Sequence, residues 1–247
     1  VAQQGFVYEE NAAAFLKTQG VVDKNFKPAS ASHDRADLEL MYDKIYGVEL
    51  KITDASAGSL VLKYDGKNWG FNKIAKDDIE KQFIADLAKT VGLFDQIKKS
   101  WKKAPMKFNE DITLSSQQKY EIDKINFPDI KGIIPASTIS DYYNHKKCYY
   151  VNIGTHGFYT FGNSDPAKFQ KECEKMRVSK IPDFSTSATA TYRARVQYKG
   201  SGNYQFTLEL QFSVKQKSQF NIAPCTKNSV QILKEQFNAP FLLSKKK

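Results

Sequence analysis

Two carboxylates and a lysine stand at a spacing suited to cleaving a phosphate ester. Asp37 opens one extended run, and after a short turn Glu49-Leu50-Lys51 sits on the next. Side chains two apart on a strand share a face, so Glu49 and Lys51 point the same way. If the two strands pair, Asp37 reaches the same place. Two carboxylates are hard oxygen ligands for Mg²⁺, which keeps several waters and takes the rest of its shell from phosphate. A lysine beside them can hold a water and neutralise charge developing on the phosphate. Glu49-Leu50-Lys51 is the only Glu-x-Lys in the chain. Asp65-Gly66-Lys67 competes, but a tight turn explains it. Pro128-Asp129-Ile130-Lys131 also competes; it lacks a preceding acid-bearing strand and runs into Gly132. Asp34 lies deeper in the loop than Asp37 and ranks behind it. The plainer alternative for Glu49 and Lys51 is an ion pair on a solvated sheet face.

Asp37 with Glu49-Leu50-Lys51 resembles the PD-(D/E)XK nuclease superfamily, the restriction-endonuclease-like phosphodiesterases. Ala36 stands where the family name has proline. The resemblance implies a helix–strands–helix–strand core over residues 1–105, closed by a strand at 148–153. Residues 106–247 would supply the remainder of the core and a hairpin and helix region for nucleic-acid binding. It further implies Asp37 and Glu49 as ligands of Mg²⁺ or Mn²⁺, Lys51 as the residue orienting the attacking water, and Glu10 in the preceding helix as an assistant. The activity implied is a metal-dependent DNA endonuclease, of restriction type if it is sequence-specific. Cutting both strands of a palindromic site would call for a homodimer, because protein two-fold symmetry mirrors the site. The competing function is a basic nucleic-acid-binding protein without catalysis.

The elements that must position these residues follow from local pattern. Ala12, Ala13, Ala14 and Leu16 favour a helix over 7–17, ended by Gly20. Polar residues with Pro28 read as a loop over 23–35. Strands are expected at 37–42, 46–53 and 59–64. Ile79, Phe83, Leu87, Val91, Phe94, Ile97 and Trp101 mark a long amphipathic helix over 76–102 with a break near Gly92. Helices at 115–125 and 137–146 follow, then a buried strand at 148–153 and a helix from Asp165-Pro166 to Arg177. Tyr142 to Tyr150 interleaves aromatics with lysines and reads as a helix end joined to a core strand. A final helix is expected at 226–237. The order of elements indicates a mixed α/β chain: a central mixed sheet flanked by helices, with a β-rich C-terminal part.

Within that part, 191–198 and 204–217 alternate strictly around a hairpin loop. Tyr192, Ala194 and Val196 belong to a core, whereas Arg193 and Arg195 share the other face. Arginine and glutamine read guanine and adenine edges, and a two-stranded ribbon fits the major groove. Arg193, Arg195, Lys199 and Gln205 are therefore the candidate nucleic-acid contacts. The plainer alternative is the solvated face of an antiparallel sheet.

Composition sets the outer bounds. The 247 residues are 41% hydrophobic and 26% charged, an ordinary globular composition with material for a sizeable core. The net charge of +10 favours an anionic partner such as DNA. No apolar run is long enough to span a bilayer, and the start lacks the basic and apolar regions of a secretory signal. Cys148, Cys173 and Cys225 are odd in number and widely spaced, which points to reduced thiols and a cytoplasmic, intracellular setting.

Overall fold

The computed structural model describes residues 2–18, 20, 22–28, 36–41, 44–54, 56–107, 113–162, 164–175, 177, 179–200 and 203–222. The helix expected at 226–237, with Cys225, lies outside them. The first half of the chain forms α1 (Ala2–Thr18), β1 (Leu38–Met41), β2 (Ile45–Lys51), β3 (Ser56–Tyr64), β4 (Trp69–Phe71), α2 (Ile79–Thr90) and α3 (Leu93–Ser100). Then come α4 (Ser116–Asn126), β5 (Ile130–Ile134), α5 (Ser137–His145), β6 (Cys148–Ile153) and β7 (Gly157–Thr160). The last elements are α6 (Phe169–Lys175), α7 (Phe184–Ser187), β8 (Ala188–Gly200) and β9 (Asn203–Val214). The chain is mixed α/β, as its patterning indicates, and it divides into two units interleaved in sequence.

Of the described residues, the first unit takes those within 2–54, 135–189 and 212–222. Its sheet runs β1-β2-β6-β7. β1 is antiparallel to β2, β2 is parallel to β6, and β6 is antiparallel to β7. Alternation along β2 sends Tyr46, Val48 and Leu50 into one core. There they meet Leu38, Leu40, Tyr150 and Phe158 of the sheet and Tyr8, Ala12, Ala13 and Leu16 of α1. A parallel pair cannot be joined by a hairpin and needs a crossover. The helix that leads into β6 is α5, whose Ile139, Tyr142 and Tyr143 are buried and which packs on β6. Tyr143 stacks on Phe161 with ring centroids 4.8 Å apart. The helix expected from Asp165-Pro166 to Arg177 is the shorter α6, which opens at Phe169; Asp165 is not its cap but accepts the N–H groups of Phe169 and Gln170 at 3.0 and 2.8 Å from four residues ahead.

The second unit takes residues 56–134 and 190–211. Its sheet is ordered β4-β3-β9-β8-β5. β3 pairs antiparallel with β9 and β5 with β8. α2 packs on β3, and α3 on β4 and β5. Trp69, Trp101, Phe127 and Phe206 form an aromatic core with centroids 4.7–5.9 Å apart. Such tilted and edge-on contacts are favoured by the ring quadrupoles.

Two expectations about organisation are corrected here. The helical stretch over 76–102 divides into α2 and α3 at the expected break, Gly92, which adopts a left-handed conformation at φ 61°, but its place in the chain's organisation differs. Both helices belong to the second unit, so they do not complete the sheet that carries Asp37 and Glu49; α5 takes that place. A boundary near residue 105 falls inside the second unit. The reason is the parallel pairing of β2 with β6, which returns residues 148–153 to a sheet begun before the second unit's segment. Among the described residues no helix is long and apolar enough to cross a membrane.

Candidate active site

The register of β1 on β2 pairs Leu38 with Val48, which sets Asp37 across from Glu49. Asp37 Oδ2 accepts the Leu50 backbone N–H at 2.9 Å. Because Leu50 points into the core, Glu49 and Lys51 share the opposite face, and Lys51 Nζ donates to Glu49 Oε1 at 2.6 Å. Glu49 is buried, only 3% exposed. Lys146 Nζ stands 4.0 Å from Glu49 Oε2.

Gly47 makes that approach possible. It lies where the β2–β6 register slips, since Gly47 pairs with Cys148 but Val48 pairs with Tyr150. A Cβ at this position would stand 2.9 Å from the Lys147 carbonyl oxygen and 3.0 Å from Ala36 Cβ. Only glycine allows the two backbones so close. Lys147, at φ 59°, turns the chain out of α5 and into β6 just beside it. The same turn delivers Lys146.

The electrostatics follow from burying several charges together. Glu49 is pushed up by burial, but the Lys51 ammonium, then Lys146, and hydrogen bonds from Lys51 and Tyr143 outweigh that and hold it below the usual carboxylate range. Asp37 has the opposite fate. Burial, and then repulsion by Glu49, exceed the help from Lys51 and the Leu50 amide and push it up to about 8. Burial would lower Lys51, yet Glu49 and Asp37 raise it above its ordinary value. One carboxylate is thus ionised at neutral pH while its partner keeps a proton, the pattern expected when like charges share a site.

Of the two adjacent glutamates of α1, it is Glu9 that lies near the cluster, its charge felt by Lys51 and Glu49. Glu10 is exposed, whereas its neighbour Glu9 is half-buried and its Oε2 is buried without a hydrogen bond. Burial pushes Glu9 up to about 7, with Lys51 pulling it down and Glu49 and Glu10 adding to the rise. Helical spacing carried the signal. Glu9, Ala13 and Leu16 fall at i, i+4 and i+7 on the buried stripe, whereas Glu10 lines up with exposed Ala14. Lys146 was missed because its tie to Glu49 runs through a non-local strand pair.

The rival motifs have structural occupations. Asp65 accepts the backbone N–H groups of Lys67 and Asn68 at 2.8 and 2.6 Å and closes a turn. Asp129 takes the Arg193 guanidinium, with Nε at 2.8 Å and Nη2 on the same oxygen, and Lys131 stands 3.7 Å away. Asp34 lies outside the described residues. On the hairpin, Arg195 grips Glu209 bidentately at 3.1 and 3.0 Å. Both guanidinium forks are therefore held by acids within their own sheet. Of the other two proposed contacts, Lys199 is exposed and Gln205 half-buried.

Asp37 and Glu49 offer a hard-oxygen pair, and the donor set fits Mg²⁺. That cation binds through one or two carboxylates and keeps waters and phosphate for its other positions. Among the described residues no group of three or more His, Cys, Asp or Glu is gathered to hold a metal. The proton that Asp37 retains, and the Glu49 Oε2 that has no donor within hydrogen-bond distance, mark where positive charge is wanted.

No protein-family model matches the chain, and no curated protein matches it. Among solved structures the chain is similar to HhaI endonuclease in complex with DNA, with a TM-score of 0.38 and 14% sequence identity over 91% of this chain and 98% of that one.

Proposed function

We propose that this protein is a metal-dependent DNA endonuclease of the PD-(D/E)XK type, hydrolysing phosphodiester bonds at the Asp37–Glu49–Lys51 cluster. One observation carries the reading. The pairing of β1 with β2 brings the Asp37 and Glu49 carboxylates to one place, Asp37 accepting the Leu50 amide at 2.9 Å and made less acidic by burial and by Glu49, with a lysine ammonium 2.6 Å from Glu49. A structural ion pair needs only Glu49 and Lys51; it has no use for a second, repelled carboxylate. Asp37 and Glu49 would hold Mg²⁺, with Mn²⁺ as a substitute. When bound, such an ion lowers the pKa of a water and neutralises charge on the phosphate. Lys51 supplies a fixed positive charge on the same face, suited to orienting the attacking water or holding a phosphate oxygen. Glu9, poised near neutrality, can accept or return a proton there. The chain's surplus of lysine supports a polyanionic substrate. Cleavage of both strands at a palindromic site would engage two copies.

The test is supercoiled plasmid with Mg²⁺, run beside EDTA and the Lys51→Ala variant. Nicked or linear product that disappears in both controls is the expected result, and discrete bands would add sequence specificity. Plasmid left intact with Mg²⁺ and Mn²⁺, while a gel shift persists, would overturn the catalytic reading in favour of a basic binding protein.

A further inference from the structure

Lys51 cannot serve Glu49 and the reacting phosphate with the same undivided charge. In the structure its ammonium is committed to Glu49 Oε1 at 2.6 Å. On the nuclease reading, on which this inference rests, substrate draws that ammonium toward a phosphate oxygen or the attacking water. Glu49 would then be a buried carboxylate that has lost its nearest cation, with the hydrogen bond from Tyr143 left to hold its orientation. The structure has a second cation for the other oxygen. Lys146 Nζ is 4.0 Å from Glu49 Oε2, and its side chain is only 11% exposed. The ammonium also lies 5.6 Å from the Tyr143 ring centroid and 5.9 Å from that of Tyr142, within cation–π range. Tyr143 is itself pinned by stacking on Phe161. Lys146 is thus held against aromatic rings, mostly buried, where its charge is felt more strongly than in water.

We propose that Lys146 is a positioning residue of the site, keeping Glu49 oriented through its Oε2 while Lys51 engages the substrate. It does so at a distance that leaves Oε2 available to a metal ion. The close backbone approach at Gly47 is what secures that distance.

The charge at Lys146 has two effects of opposite sign, which separate this role from a merely structural one. It fixes Glu49 for turnover, and it repels a divalent cation. The experiment compares full-length wild type, Lys146→Met and Lys146→Arg for plasmid cleavage under saturating Mg²⁺, and for Mg²⁺ binding without DNA by calorimetry. Lys146→Met should lower kcat by about tenfold or more with KM for DNA nearly unchanged, the signature of an interaction that matters in the transition state. The same variant should bind Mg²⁺ more tightly than wild type, and Lys146→Arg should recover most of kcat. Turnover equal to wild type in Lys146→Met would overturn the proposal. So would weaker Mg²⁺ binding in that variant, or an arginine variant as impaired as the methionine one. Should Lys146→Met not fold, Lys146→Gln carries the same comparison. A wild type that cleaves no DNA sinks the nuclease reading and this role with it; an active wild type matched by Lys146→Met sinks this role alone.

Discussion

Asp37→Asn separates a poised catalytic cluster from a structural ion pair, because the two readings give opposite signs for stability. Asp37 is raised from its ordinary 3.8 to about 8 by burial and by Glu49. Between those values the folded chain holds a proton that the unfolded chain has lost. Wild-type stability therefore falls as pH rises through this window, and the full cost is present above about pH 8. A shift of that size sets a ceiling of about 6 kcal/mol. Water entry and side-chain relaxation around a charged cluster bring the expected cost down to about 2 kcal/mol. Asparagine keeps an acceptor for the Leu50 amide and carries no charge, so it removes the penalty. At pH 8.5 Asp37→Asn should melt above wild type by roughly 4–8 °C for a chain of this size. The gap should shrink steadily toward pH 5. The same variant should lose DNA cleavage. Differential scanning calorimetry at both pH values reads the outcome. A variant that melts below wild type at pH 8.5 by as much as at pH 5 would show that Asp37 serves the strand pair, and the poised-site argument would fail.

Other consequences can be measured independently. Mg²⁺ binding at pH 7 should release about one proton, because the Asp37 proton must leave, and affinity should rise about tenfold per pH unit up to pH 8; calorimetry in buffers of different ionisation enthalpy counts the protons, and a release of none counts against Asp37 as a ligand. Gly47→Ala forces a Cβ to 2.9 Å from the Lys147 carbonyl oxygen. It should destabilise the chain by about 1–3 kcal/mol through overpacking and reduce cleavage as Lys146 is displaced; an unchanged urea midpoint would refute the close-approach argument. Arg195→Met should destabilise by about 2–3 kcal/mol by stranding buried Glu209, with much of that loss cancelled in Arg195→Met/Glu209→Met. Gel-shift affinity for DNA should not change in that pair, and a steep fall in it would instead return Arg195 to the nucleic-acid contacts.

Local pattern was enough for much of the chain. The alternation of Tyr46, Val48 and Leu50 with Glu49 and Lys51 settles which side chains share a face, because a strand's period of two leaves no choice once one face is apolar. Gly92 marks the break between α2 and α3, since a left-handed residue ends a helix. The alternating hairpin of β8 and β9 is readable for the same reason as β2. Short strands were harder. β4, β5 and β7, of three to five residues, carry too little pattern to stand out and exist because a partner strand is there to pair with.

What tertiary structure alone decided is which charges meet. Residue types and spacing nominate Asp37, Glu49 and Lys51, since strand geometry relates them over a short span. That Glu9 rather than Glu10 lies near the cluster depends on which stripe of α1 is buried, and the arrival of Lys146 depends on β2 pairing in parallel with β6, a hundred residues on in sequence. Likewise Arg193 and Arg195 share a face by alternation, but their engagement by Asp129 and Glu209 follows from the register of β5 and β9. Electrostatic energy depends on distance and burial, and neither is a property of sequence separation. The sequence by itself determines which groups are able to ionise and which face they occupy; packing alone determines which of them keeps its proton.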